Sequence, residues 1–163
     1  MFSLEIETLA RLLIDECRQR SLRIVTAESC TGGLVAGAIC SISGASDVFE
    51  RGFVVYNNRA KQELLDVPGE LIADLGAVSE PVSRMMAEGA LENSNAHLAV
   101  AITGVAGPGG GTPLKPVGTV HIATARTNHG LMHRQEFFQF ETRAEIQMAA
   151  VQAALQQMMD RVV

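Results

Sequence analysis

The chain has 163 residues, 47% of them hydrophobic and 19% charged, with a formal net charge of −5. That balance fits one packed globular domain spanning residues 1–163 and argues against disorder. The acidic balance and the lack of a Lys/Arg cluster argue against a nucleic-acid partner.

Leu4–Arg20 carries Leu9, Leu12, Leu13 and Cys17 at helical spacing and is expected as an amphipathic helix. The β-branched run in Arg23–Glu28 reads as a buried parallel strand, and Gly33–Ser41 as a small-residue helix. Phe53–Tyr56 is expected as a second strand, with Asn57 or Asn58 capping a helix over Arg59–Leu65. Pro68–Leu75 and Glu80–Ala90 follow as helices, the latter capped by Ser79, and His97–Thr103 reads as a third strand. Val117–Ala125 and Leu131–Phe140 form a late hairpin through Asn128-His129-Gly130, and Thr142–Met159 closes the chain as a long helix. The order predicts an α/β fold of three layers, α/β/α, around a mixed sheet.

No apolar run is long enough to span a bilayer, and Glu5 and Glu7 stand where a signal peptide would be basic. A soluble, cytoplasmic protein without membrane partners is therefore expected. Cys17, Cys30 and Cys40 form no zinc spacing and are expected as reduced thiols.

Two glycine-rich turns follow strands, at Ser29-Cys30-Thr31-Gly32-Gly33 and at Gly104–Gly111. Bare N–H groups at such turns suit an anion, and two of them at one sheet end suit a small-molecule crevice. Neither matches a dinucleotide or Walker fingerprint. Ser29 has two readings, a nucleophile at a strand-to-helix turn or, with Thr31, a plain cap of the next helix. No histidine offers itself as a base: His97 and His121 fall in strands, and His129 and His133 flank the hairpin. The chain's two lysines are Lys61 and Lys115, and a desolvated Lys61 could serve a serine. Arg143 could grip a phosphate bidentately.

Five stretches, in order, resemble the C-terminal domain of the competence-damage protein CinA, a family that includes stand-alone nicotinamide-nucleotide amidohydrolases. They are Thr26–Gly33, Gly52–Tyr56 with Lys61, Gly76–Glu80, Gly104–Gly111 and Lys115–Val120. The resemblance implies hydrolysis of nicotinamide mononucleotide to nicotinate mononucleotide and ammonia, with no metal or organic cofactor. It implies that Ser29 attacks, that Lys61 takes its proton, and that Tyr56 and Thr103 orient the lysine or the carboxamide. The substrate contacts it implies are Glu28, Thr31, Gly32, Gly33, Gly107, Gly109, Gly110, Gly111 and Arg143. Glu28 either fixes the turn or binds ribose. The partner implied is a phosphorylated small molecule, with a homo-oligomer left open; the alternative is a non-catalytic nucleotide-binding or interaction module. The chain departs from the common pattern at Tyr56-Asn57-Asn58-Arg59, where many relatives read Tyr-Ser-Asn-Glu, and at Glu141-Thr142-Arg143, where many read Gly-Asp-Arg.

Overall fold

The computed structural model describes residues 1–163. Five strands, β1 (Ile24–Glu28), β2 (Phe49–Val54), β3 (Leu98–Gly104), β4 (Thr119–Arg126) and β5 (Gly130–Phe137), form one sheet in the order β2-β1-β3-β4-β5. The pairs β2–β1 and β1–β3 are parallel; β3–β4 and β4–β5 are antiparallel. The expected mixed sheet and late hairpin are therefore present.

Side chains alternate across the sheet and sort the two helical layers. Ile24, Leu98, Val100, Ile102, Val120 and Ile122 face α1 (Leu4–Gln19), α2 (Leu34–Cys40) and α6 (Arg143–Val162). Ala27, Ala99, Ala101, Ala123 and Ala125 face the opposite layer of α3 (Asn58–Leu65), α4 (Gly69–Leu75) and α5 (Glu80–Glu92). An alanine-paved face admits a helix closely, and α5 packs on β3 and β4 there. Crowding continues outward: a Cβ on Gly89 of α5 would fall on the carbonyl group of Leu65, at the end of α3.

Several expected boundaries moved. The second strand begins at Phe49 and ends at Val54, not Phe53–Tyr56, because Glu50, Arg51 and Gly52 run along a half-exposed edge where polar residues are tolerated. Tyr56 therefore lies beyond the strand, on the approach to α3. The fourth strand starts at Thr119 and the fifth stops at Phe137. A short 3-10 turn at Ala45–Asp47 had no signal in the sequence. Asn57, not Asn58, caps α3: its Oδ1 accepts from the Ala60 N–H at 2.8 Å. Ser79 caps α5 as expected.

Candidate active site

Parallel pairing sets Glu28 beside Ile102, so the next residues along, Ser29 and Thr103, leave neighbouring strands at the same end of the sheet. A pocket of about 290 Å³ opens there, at the carboxyl ends of β1 and β3. Its floor is Ser29 and Cys30. One wall is Tyr56, Asn58 and Lys61, the other Ala77, Val78 and Thr103, and the segment Gly104–Gly110 with Arg143 closes the rim.

Lys61 is the exceptional residue of the site. It reaches in from the first turns of α3 with 1% of its surface exposed. Its Nζ lies 3.0 Å from Ser29 Oγ, 3.0 Å from the carbonyl of Val55 and 3.2 Å from that of Tyr56. No carboxylate forms an ion pair with it. Burial without a counter-charge holds its pKa below the ordinary 10.5. In the neutral state two N–H bonds go to the two carbonyls, and the free lone pair faces the Ser29 hydroxyl. That is the arrangement of a base beside a nucleophile.

The Ser29 turn is pinned from below. Glu28 is fully buried. Its Oε1 accepts from Thr31 Oγ1 at 2.6 Å and the Val35 N–H at 2.8 Å, and its Oε2 from the Ala36 N–H at 3.0 Å. A strand-end carboxylate thus satisfies the open N–H groups at the start of α2, where its charge also suits the helix dipole. Gly33 is the N-cap residue in a left-handed conformation (φ 100°) and contributes no side-chain bond. From above, Gln147 of α6 donates its Nε2–H to the Cys30 carbonyl at 3.0 Å.

These contacts correct several expectations. Neither Ser29 nor Thr31 caps α2; Glu28 does. Glu28 fixes the turn, is fully buried and does not line the pocket, and the Thr31 hydroxyl is spent on Glu28. Gly32 and Gly33 turn the chain behind the floor, and Gly111 packs against Val117; none of the three lines the pocket. Ser29, Lys61, Tyr56, Thr103, Gly107, Gly109, Gly110 and Arg143 are brought together. Tyr56 serves Lys61 through its main-chain carbonyl, while its exposed phenol accepts from Arg143 Nη2 at 2.6 Å. Arg143 Nη1 also donates to the Gly107 carbonyl at 2.7 Å, tying the glycine arm to the rim. Thr103 Oγ1 donates to the Ala77 carbonyl at 2.9 Å and holds the far wall. Thr142, in the second divergent stretch, caps α6 in a reciprocal pair with Glu145.

The sequence reading missed Cys30, Asn58 and Val78. Cys30 and Asn58 sit next to residues singled out from the sequence, while Val78 lies in the matched stretch Gly76–Glu80 and arrives through the α4–α5 connection. The Cys30 thiol, like that of Cys17, is buried and its pKa is pushed up to about 12; Cys40 is exposed. The histidines stand outside the pocket. His97 Nδ1 accepts from the Arg23 N–H, and His121 and His133 bond to each other, His133 also to Glu80. Burial and the adjacent His133 lower His121 to about 4.

A family model described as the CinA C-terminal domain matches residues 6–162. The chain belongs to that family. A CinA-like protein of Akkermansia muciniphila is 56% identical over 118 residues, 72% of this chain and 28% of its own length. A CinA-like protein of Syntrophobacter fumaroxidans is 46% identical over 150 residues, covering 91% of this chain and 35% of its own. The chain thus spans about a third of the length of these curated relatives. Solved structures match it end to end. The competence/damage inducible protein CihA from Agrobacterium tumefaciens superposes with a TM-score of 0.96 at 46% identity, covering 98% of this chain and 97% of that one. A CinA superfamily protein from Escherichia coli gives 0.91 at 33% identity, over 99% and 93%. No helix of this CinA-family chain is long and apolar enough to cross a membrane.

Proposed function

We propose that the chain is an amidohydrolase that converts nicotinamide mononucleotide to nicotinate mononucleotide and ammonia. The observation that carries this reading is Lys61, a buried amine without an acidic partner, 3.0 Å from Ser29 Oγ. A merely nucleotide-binding module has no use for a lysine placed at such cost. The substrate is the one implied by the family resemblance. The pocket supports it with a rim of unpaired main-chain donors: the N–H groups of Gly107, Gly109 and Gly110 make no backbone hydrogen bond and suit a phosphate.

In the reaction, Ser29 Oγ attacks the carboxamide carbon as its proton passes to the neutral Lys61 amine. The N–H groups of Cys30 and Thr31, which take no backbone acceptor, lie at the turn where an oxyanion would form. Collapse of the tetrahedral intermediate breaks the C–N bond, and the Lys61 ammonium returns the proton to the departing ammonia. Water then attacks the Ser29 ester as Lys61 accepts its proton; Lys61 returns that proton to Ser29 Oγ as the ester C–O bond breaks, and the acid product leaves as the carboxylate, its own proton passing to solvent.

Ammonia release from the mononucleotide by the purified chain is the test. Ser29→Ala and Lys61→Ala should each cost about a thousandfold or more in turnover, and the double variant little beyond either. Near-normal turnover by Ser29→Ala would remove the serine from the chemistry. Tight binding of the mononucleotide with no ammonia release would make the chain a binding module instead.

A further inference from the structure

β5 is the outermost strand of the sheet and pairs only with β4. Phe138 donates its N–H to Gly118, so even-numbered residues of β5 turn toward β4. The odd-numbered ones, Leu131, His133, Gln135 and Phe137, therefore direct their N–H and C=O groups outward. Proteins usually blunt such an edge with charged side chains, proline or a bulge; the charges here are one of each sign, Arg134 and Glu136, which a second copy can match. Residues 130–137 contain neither proline nor lysine, and their register with β4 is unbroken. The flank instead exposes Met132 (37%), Phe137 (58%) and Phe140 (50%). On the α6 side, Phe138, Phe140, Ala149 and Ala153 line an open groove of about 400 Å³.

We propose that this edge is a homodimer interface, in which β5 of one copy pairs antiparallel with β5 of a second about a two-fold axis at Gln135. The two five-stranded sheets then become one continuous sheet. Charge complementarity favours one register. An axis between residues would set outward groups against inward ones and make no ladder. An axis at Arg134 opposes two guanidinium groups, and one at Glu136 opposes two carboxylates; like charges directly across a pair are destabilising. With the axis at Gln135, Arg134 stands opposite the second copy's Glu136, and this happens twice by symmetry. The same register sets Met132 opposite Phe138 and His133 opposite Phe137. Met132 and Phe137, exposed on the edge, are thereby covered, with a methionine facing an aromatic ring.

Sedimentation velocity over a dilution series tests the assignment, with a dimer of twice the chain mass expected. Arg134→Glu sets like charges across both symmetric positions and should weaken the dimer by at least about tenfold. Adding Glu136→Arg restores the opposition and should recover most of that loss. The double variant does not restore the bond between Arg134 and Asp160 within the chain, so recovery reads the contact between copies. Gln135→Pro removes an N–H turned away from β4 and should yield a monomer with unchanged circular dichroism. A chain that stays monomeric at its highest soluble concentration overturns the proposal. So does a dimer indifferent to the charge series.

Discussion

Glu28→Gln is the most informative single substitution, because it changes one atom of the side chain. The carboxylate accepts three hydrogen bonds, two on Oε1 and one on Oε2 from the Ala36 N–H. Glutamine keeps its carbonyl oxygen for Thr31 and Val35 but turns an NH₂ group toward the Ala36 N–H, so two donors meet. Losing a hydrogen bond to a charged acceptor costs about 2 kcal/mol. Losing the negative charge at the start of α2 adds about 1 kcal/mol. The expected total is about 3 kcal/mol, which for a domain of this size lowers Tm by roughly 6–12 °C. Thermal unfolding followed by circular dichroism reads the shift directly. Because Ser29 sits on the turn that Glu28 holds, kcat should fall as well while KM for the mononucleotide stays near wild type. An unchanged Tm with a raised KM would refute the reasoning and return Glu28 to the role of a ribose ligand.

Lys61 acts as the free base, so kcat/KM should rise with pH along a limb placed below the ordinary lysine pKa of 10.5; a limb at or above that value would contradict the desolvated amine. The depressed pKa also means that the unfolded chain binds more protons between the folded pKa and 10.5, so stability rises with pH across that window. Lys61→Met should accordingly raise Tm more at about pH 7 than at about pH 10, and equal gains would refute the linkage. Arg143→Ala should lower kcat/KM for the mononucleotide about tenfold or more and for the nucleoside much less. Arg143→Lys should not restore it, because one ammonium cannot span Gly107 and Tyr56 as the guanidinium does; equal losses for the two substrates would argue against phosphate recognition. Gly89→Ala should destabilise by about 3 kcal/mol despite alanine's better helix propensity, since its methyl group meets the Leu65 carbonyl. A neutral effect in urea unfolding would show that α3 and α5 separate freely.

The strands and helices that bury a continuous apolar face were legible in the sequence, as was Ser29, which follows β1 directly. What escaped was made by position in space. Phe49–Gly52 falls outside the expected strand because its polar residues belong to an edge strand, where one flank is wet. Glu28 looks like a ligand because its carboxylate reaches eight residues forward to cap a helix, a span no local pattern encodes. Arg143 meets the pocket, and Gln147 the Cys30 carbonyl, only because α6 packs on α2, β3 and β4. The fully buried Lys61 would pass for a solvated helix residue from its neighbours, and the resemblance to the CinA C-terminal domain is what marked it.

The three thiols give this chain a built-in set of clocks. Only Cys40 meets solvent in the folded protein, while Cys17 and Cys30 are both shielded and poorly ionised. A thiol reagent reacts through the thiolate and needs access, so the native chain should be titrated at one position. Modification of Cys17 then times the loosening of α1, and modification of Cys30 times the opening of the floor under Ser29. Substrate that occupies the pocket should slow the second clock and leave the first running at its own pace.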